Sequence, residues 1–260
     1  KELCAKPRNW KPLIYCWRGG KRSYSLAKIL HDIGWSPTII EKGYKSYRHS
    51  VLEKLHKDNF DFKAILISGH TGTGKTELLD FLGKENKQIL NLELMANHRG
   101  SLLGGEKKLQ PSQKLFESKI YNEISNFNKK EYIFIEAESN KIGSLTIPPC
   151  LWKIMKQSFR IVICAKKKHR IEYLMKKYSD LTNNIEELIE KLSMFENIQN
   201  SKNISSWKKM AKKSNFKELA LDLIEKHYDP RYQNNIDKYE HLFLKSYSIN
   251  PVKKSDIEDV

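Results

Sequence analysis

The stretch GHTGTGKT, residues 69–76, constrains the fold more than any other part of this sequence. It fits the pattern G-x-x-x-x-G-K-[ST], directly after the apolar run AILIS (64–68) and directly before a helical pattern that begins near Lys75. In such a phosphate-binding loop (P-loop) glycines let the backbone wrap an anion, which the N–H groups and the helix N-terminus attract. The pattern therefore predicts a strand, loop and helix that together bind phosphate.

The residues of this loop divide between backbone and side-chain roles. Lys75 is expected to neutralise phosphate charge, and Thr76 can hold a metal ion such as Mg²⁺. The ligand stays open at this point, because a nucleotide, a pyrophosphate ester or an RNA phosphate fits the same cradle. The predicted phosphate-binding residues are Gly69, Gly72, Thr73, Gly74, Lys75 and Thr76.

Further apolar runs alternate with helical segments after the loop. They are QILNL (88–92), YIFIE (132–136) and FRIVICA (159–165). This alternation predicts an α/β domain with a doubly wound parallel sheet. Glu136 ends one of the strands, where P-loop proteins place an acidic residue for magnesium or water; it is equally compatible with a simple strand end. Glu138 follows two residues later.

A thiol lies in a second loop, YCWRGGKRS (15–23). Cys16 ends a predicted strand, and Arg22 begins a predicted helix. A helix N-terminus, loop N–H groups and the side chains of Arg18 and Arg22 all favour a thiolate, so a lowered pKa and a reactive Cys16 are expected. The paired glycines allow a tight turn that aims the amides inward.

Two chemistries use a cysteine in this setting. Rhodanese-like domains carry sulfur or selenium on the cysteine, whereas cysteine phosphatases use C-x5-R-[ST], a pattern that residues 16–23 satisfy. A phosphatase would usually have His where this chain has Tyr15, and it would need an acidic group to protonate the leaving oxygen. None stands in or beside the loop, but both chemistries remain open from these residues.

Composition narrows the class of partner. The 260 residues are 39% hydrophobic and carry a formal net charge of +16, with lysine spread along the chain. This balance suits a polyanion such as nucleic acid. No apolar run reaches the ~20 residues that span a bilayer, so we expect a cytoplasmic protein without membrane contact. The four cysteines show no paired metal-ligand spacing, and neither a disulfide framework nor a resident metal is predicted.

Four further stretches carry a resemblance: GYKSYR (43–48), NLELMANHRGSLLG (91–104), QPSQKLFE (110–117) and EKHYDPRY (225–232). With the two loops, they make residues 13–232 resemble the bacterial tRNA 2-selenouridine synthase family. The resemblance implies a rhodanese-like domain in residues 1–60, with its N-terminal half missing, then a P-loop α/β domain in residues 61–180. A helical C-terminal region is expected in residues 181–260.

The resemblance also implies an activity. In that family the wobble 2-thiouridine of certain tRNAs is first S-alkylated by geranyl diphosphate, and selenium from selenophosphate then displaces the thiogeraniol. No tightly bound cofactor is expected, and an enzyme that supplies selenophosphate is a candidate partner. Lys75 would stabilise the departing diphosphate. Cys16 would carry or position selenium, with Arg18 and Arg22 holding the anion.

The sequence also contains weaker candidates for site residues and is compatible with two competing functions. His98, Arg99 and Ser101 lie in a loop at the expected active edge of the sheet, although a capping loop is the alternative. Gln113, within QPSQKLFE, is either a site residue or part of a helix cap. KKKHR (166–170) and WKKMAKK (207–213) are candidate tRNA contacts. The competing functions are a P-loop NTPase or kinase with an accessory rhodanese-like domain, and a cysteine phosphatase-like hydrolase.

Overall fold

The computed structural model describes residues 3–57, 62–106, 108–137 and 139–260, without the side chains of Cys4 and of residues 234–237. The chain divides into two compact units, Lys1–Asn59 and Phe60–Val260. The predicted boundary between residues 60 and 61 and the acidic residue Glu138 both lie outside the described residues.

The first unit is a small α/β structure. Strands β1 (Leu13–Ile14) and β2 (Thr38–Ile39) pair in parallel, joined by helix α1 (Lys21–Asp32) and followed by α2 (Gly43–His56). A parallel pair requires such a helical crossover. The rhodanese-like assignment stays a prediction. The small core of this first unit consists of Ile14, Ala27 and Leu30, with Trp35 and Ile39 packed against them.

The second unit is built on a five-stranded parallel sheet in the order β4-β5-β3-β8-β9. The predicted parallel α/β sheet is therefore confirmed. The central strands are apolar because helices cover parallel sheets on both faces. The strands are β3 (Lys63–Gly69), β4 (Gln88–Leu90), β5 (Tyr132–Glu136), β6 (Lys141–Ile142), β7 (Leu145–Thr146), β8 (Phe159–Cys164) and β9 (Phe243–Ser248), with β6 and β7 forming a separate antiparallel pair.

Helices follow the strands and then form a cluster of their own. In the part of the chain that the structure describes, none of them is long and apolar enough to cross a bilayer. They are α3 (Lys75–Lys84), α4 (Leu92–Ala96), α5 (Gln113–Asn126), α6 (Pro149–Gln157), α7 (Lys167–Lys177), α8 (Ser179–Thr182), α9 (Ile185–Ser193), α10 (Ser201–Lys212), α11 (Phe216–Leu223), α12 (Asp229–Tyr239) and α13 (Lys254–Glu258).

The helical cluster has a core around Trp207, whose side chain is fully buried against Phe195. The indole Nε1 of Trp207 donates to Asp222 at 2.7 Å, so its polar atom is satisfied. A π-helical turn, Ile224–Tyr228, connects α11 to α12. Such turns often occur at functional sites.

The expectation of a helical region throughout residues 181–260 is wrong near its end. Strand β9 follows α12 and pairs with β8 as the fifth strand of the P-loop sheet. Its sequence, FLKSYS, is largely exposed because β9 lies at the edge of the sheet. An edge strand that carries lysine and serine lacks the apolar run that identifies a buried parallel strand.

Candidate functional site

The P-loop joins the carboxyl end of β3 to the start of α3, as the sequence predicts. Gly69 has φ of +152°, and a Cβ at this position would lie 2.4 Å from the carbonyl oxygen of Ile163 on β8. Only glycine fits, because the loop passes so close to the neighbouring strand. The loop N–H groups and the first turn of α3 thus lie together at the carboxyl end of β3.

Lys75 and Thr76 connect the loop to Glu136 at the end of β5. The Lys75 Nζ donates to the carbonyl oxygen of Gly69 at 3.0 Å and lies 3.7 Å from the Glu136 carboxylate. The Thr76 hydroxyl donates to Glu136 at 3.1 Å. Burial raises the pKa of Glu136, against the opposing effect of the Lys75 ammonium. Glu136 therefore contacts both side chains that are expected to bind the ligand.

A cavity of about 320 Å³ opens above this loop. A volume of this size suits a small phosphorylated ligand. Of the predicted site residues in the second unit, all of which the structure describes, Thr73, His98 and Gln113 lie outside its lining. The predicted residues that line it are Gly69, Gly72, Gly74, Lys75, Thr76, Arg99, Ser101 and Glu136.

The three residues outside the lining brace the surrounding structure. The Thr73 hydroxyl donates to the carbonyl oxygen of His70 and holds the P-loop in its turn. His98 Nδ1 accepts from the Gly100 N–H at 3.1 Å, and burial lowers the pKa of His98. Gln113 exchanges hydrogen bonds with the backbone of Thr146 and so fastens α5 to β7.

Arg99 and Ser101 line the cavity but are already engaged. Arg99 binds both carboxylate oxygens of Asp180, at 2.8 and 3.0 Å, and its guanidinium lies over the ring of Tyr178. The bond from Arg99 holds the pKa of Asp180 below its usual value. Ser101 shares a hydrogen bond of 2.8 Å with the hydroxyl of Tyr178. This loop is thereby tied to α7 and α8.

Residues far along the chain hold the P-loop from the other side. Arg170 of α7 donates through Nε to the carbonyl oxygen of Thr71 at 2.8 Å and binds Asp229 with both terminal nitrogens. Tyr232 shares a hydrogen bond of 2.9 Å with Ser68. EKHYDPRY (225–232) contains both Asp229 and Tyr232, so the contacts explain part of that motif.

The C-terminal segment after β9 also reaches the loop. A Cβ built on Gly74 would lie 2.8 Å from the Cβ of Pro251, and Gly74 has φ of +85°. Ile249 packs with Leu78 and Leu79 of α3 in one core cluster. Residues near position 250 therefore complete the packing around the start of α3.

Several residues that line the cavity were missed by sequence reasoning, or left open between a structural helix end and a site. His227 lies in the π-helical turn, and burial lowers its pKa to about 4, so it is neutral near pH 7. Tyr173 donates to Glu77, and burial raises the pKa of Tyr173. EKHYDPRY was the available signal for His227, whereas nothing in the local sequence marks Tyr173. Further lining residues that the sequence did not single out include Glu93, Lys177, Arg231 and Tyr232.

The thiol loop of the first unit has the geometry of a reactive cysteine. The Gly20 N–H donates to Cys16 Sγ at 3.3 Å, and the Ser23 hydroxyl lies 3.4 Å from the same atom. The pKa of Cys16 falls to about 6, chiefly through the Ser23 hydroxyl and then through the Gly20 N–H. Arg18 contributes through its backbone N–H, while the side chains of Arg18 and Arg22 are exposed.

The motif GYKSYR (43–48) contacts this loop through the start of α2. The N–H groups of Tyr44 and Lys45, at the start of α2, donate to the carbonyl oxygens of Cys16 and Trp17 at 3.0 and 3.1 Å. Gly43 has φ of +56°, and a Cβ there would lie 1.9 Å from the Cys16 oxygen. The rings of Trp17 and Tyr44 stack at 4.9 Å. These contacts make the glycine of this motif a requirement of the fold.

A P-loop that opens a helix at the carboxyl edge of a parallel sheet, with lysine and threonine facing a cavity, defines the second unit as an α/β P-loop domain. Residues 62–209 match the family model described as the tRNA 2-selenouridine synthase AAA domain. The match covers more than half of the chain, and the chain belongs to this family.

Individual proteins show the same likeness. A tRNA 2-selenouridine synthase of Nitrosomonas europaea is 30% identical over 171 residues, which are 65% of this chain and 44% of that protein. One from Pseudomonas syringae pv. tomato is 35% identical over 170 residues, 64% of this chain and 44% of that protein. The matched stretch thus spans less than half the length of these curated relatives. A shikimate kinase from Bacteroides thetaiotaomicron aligns with 76% of this chain and 92% of its own, at 10% identity and a TM-score of 0.32.

Proposed function

We propose that this chain acts in the conversion of 2-thiouridine to 2-selenouridine at the wobble position of tRNA, by S-geranylation followed by selenation. The observation that supports this best is the P-loop cavity in a chain whose residues 62–209 match the tRNA 2-selenouridine synthase AAA domain. The two relatives described above are both named tRNA 2-selenouridine synthase. The formal charge of +16 suits a tRNA substrate.

In the first step the P-loop binds the diphosphate of geranyl diphosphate. The 2-thio sulfur attacks C1 of the geranyl group, an S–C bond forms, and the C–O bond to the diphosphate breaks. The bonding pair leaves on the diphosphate oxygen, whose charge the loop N–H groups and Lys75 stabilise. S-alkylation turns a thiocarbonyl sulfur, which is a poor leaving group, into a good one.

A magnesium ion is compatible with this cavity. Thr76 lies 3.1 Å from Glu136 and 3.5 Å from Glu93, so a hydroxyl and two carboxylates converge beside the loop. Mg²⁺ is held in this way, by one or two carboxylates together with substrate phosphates. Bound there, it would neutralise charge on the diphosphate.

In the second step the selenium of selenophosphate attacks C2 of the S-geranylated base, the C–S bond breaks and thiogeraniol leaves, and water then cleaves the Se–P bond and releases phosphate. Cys16 carries or positions selenium in this step, because its pKa of about 6 makes it a thiolate near neutral pH. The exposed side chains of Arg18 and Arg22 attract the selenophosphate anion. A protein that delivers selenophosphate is the partner that this step needs.

The test is incubation of the chain with 2-thiouridine tRNA, geranyl diphosphate and selenophosphate, followed by mass spectrometry of the nucleosides. Lys75→Ala should abolish the geranylated nucleoside, while Lys84→Ala, an exposed lysine of the same helix, should not. Cys16→Ser should spare geranylation and abolish selenouridine, with Cys150→Ser as the matched control. Selenation that survives in Cys16→Ser would contradict the role of Cys16, and geranylation that requires ATP hydrolysis would contradict the assignment of the P-loop.

A further inference from the structure

A second cavity, with an apolar lining, adjoins the P-loop cavity. It has a volume of about 70 Å³ and lies between α7 and α11, where Leu174, Met175, Phe216, Leu219 and Ala220 contribute to its wall. Four residues line both cavities: Thr71, Leu174, Tyr178 and Tyr228. A molecule whose phosphates occupy the P-loop can therefore extend across this shared wall into apolar surroundings.

Two of the hydroxyl groups that line the apolar cavity are already bonded within the protein. The Tyr178 hydroxyl shares a hydrogen bond with Ser101, and the Thr182 hydroxyl donates to the carbonyl oxygen of Ser179 at 3.1 Å. A nucleobase placed here would bury several donors and acceptors without partners, which strongly disfavours binding. A hydrocarbon chain carries no such groups and gains from the removal of its surface from water.

We propose that the apolar cavity binds the hydrocarbon tail of an isoprenoid diphosphate whose head group occupies the P-loop. This inference rests on the proposed function and names the part of the site that selects the alkyl group. The volume is about half of the ~150 Å³ in which benzene binds in an engineered protein cavity. It therefore holds the branched dimethyl end of the tail, about three carbon atoms by the same comparison, while the rest of the chain crosses the shared wall beside Leu174 and Tyr178.

The flexible side chain of Met175 is part of the wall of this cavity. Methionine fills irregular spaces and rearranges readily. Met175→Ala should lengthen the space available to a tail, and Ala220→Leu should fill it from the facing helix α11. Both positions are only partly buried, and alanine and leucine are strong helix formers, so both helices should be retained.

The experiment measures the affinity of the chain for inorganic diphosphate, dimethylallyl diphosphate, geranyl diphosphate, farnesyl diphosphate and ATP by calorimetry. Each buried methylene group is worth about a fourfold gain in affinity. Geranyl diphosphate should therefore bind at least about tenfold tighter than inorganic diphosphate. Ala220→Leu should remove most of this gain without changing the affinity for inorganic diphosphate, whose unchanged value serves as the control for an intact P-loop.

Met175→Ala supplies an independent result if Ala220→Leu also loses inorganic diphosphate. It should raise the affinity for farnesyl diphosphate relative to geranyl diphosphate. An unaltered preference among chain lengths in both variants would overturn the inference while leaving geranyl diphosphate in the P-loop. So would a loss of ATP affinity, with no loss for geranyl diphosphate, in Ala220→Leu. If geranyl diphosphate binds the unchanged chain no tighter than inorganic diphosphate, the proposed ligand of the P-loop itself is wrong.

Discussion

The guanidinium of Arg170 and the carboxylate of Asp229 form a bidentate pair, with N–O distances of 2.6 and 2.9 Å. The Arg170 side chain is 4% exposed and that of Asp229 is 23% exposed. The same guanidinium donates to the carbonyl oxygen of Thr71. The position of the P-loop therefore depends on a pair whose members lie on α7 and at the start of α12.

Removal of one member of this pair should weaken both the fold and the site. Asp229→Ala leaves the guanidinium buried without its counter-charge. We expect the free energy of unfolding to fall by about 2–3 kcal/mol, less than for a fully buried pair because Asp229 keeps some contact with water. Affinity for inorganic diphosphate should fall as well. Denaturant titration and calorimetry measure the two effects.

A matched control lies beside this pair. Lys167 and Glu225 form an ion pair of 2.6 Å, but both side chains are largely exposed. Glu225→Ala should lower the free energy of unfolding by no more than about 1 kcal/mol and leave diphosphate affinity unchanged. Equal effects of Asp229→Ala and Glu225→Ala would show that Arg170 does not hold the P-loop.

The reactivity of Cys16 should follow its lowered pKa. Because the thiolate is the nucleophile, the rate of alkylation by iodoacetamide should rise through about pH 6 and level off near pH 7. Ser23→Ala should move the midpoint to higher pH, since the Ser23 hydroxyl is the largest cause of the lowered pKa. Mass spectrometry of the Cys16 peptide measures the profile. Ser25→Ala, on the same helix, should not move it, and an unchanged midpoint in Ser23→Ala would refute this account.

Two glycines near the thiol should respond differently to substitution. Gly43→Ala places a Cβ 1.9 Å from the Cys16 oxygen in a left-handed backbone conformation, whereas a Cβ at Gly20 meets nothing within 4 Å. The backbone conformation alone costs about 1–2 kcal/mol at Gly43. We expect Gly43→Ala to move the Cys16 alkylation midpoint to higher pH and Gly20→Ala to leave it in place. If both variants show the same midpoint, α2 does not support the thiol loop.

Exposed lysines on α10 should contribute to RNA binding. Lys209 and Lys212 are exposed on this helix, while Arg170 of the predicted KKKHR contact is buried against Asp229. Lys209→Glu with Lys212→Glu should weaken tRNA binding and reduce the slope of log affinity against log salt by about 2. Filter binding at several salt concentrations measures this. Lys153→Glu with Lys156→Glu on α6 makes the same change of charge at the same spacing, and an equal loss there would show a non-specific effect.

The parts of the two sites that are contiguous in sequence could be predicted. Gly69 to Thr76 and Cys16 to Ser23 each form one loop, so their motifs identify them directly. Arg170, Asp229 and Tyr232 could not be assigned in this way, because only folding brings them to the P-loop. EKHYDPRY drew attention to the segment without deciding between a structural role and a site.

The electrostatics of the thiol were predicted in direction and, for the loop N–H groups, in cause, but not for the side chains. Arg18 and Arg22 are close to Cys16 in sequence, and their charges were expected to lower its pKa. The structure exposes both side chains and gives the effect to the Ser23 hydroxyl and to backbone N–H groups. A sequence motif does not specify hydrogen-bond distances, because these depend on how the loop meets helix α1.

The contact between Gly74 and Pro251 bears on how the protein is made. The P-loop leaves the ribosome before Asp229, Tyr232 and Pro251, yet all three must be synthesised before its surroundings are complete. At ~5–20 residues per second, synthesis of the chain from the P-loop to Pro251 takes about ten seconds or longer. The phosphate site therefore matures only when the last strand and the segment after it have docked, and a chain stalled during synthesis carries the motif without a finished site.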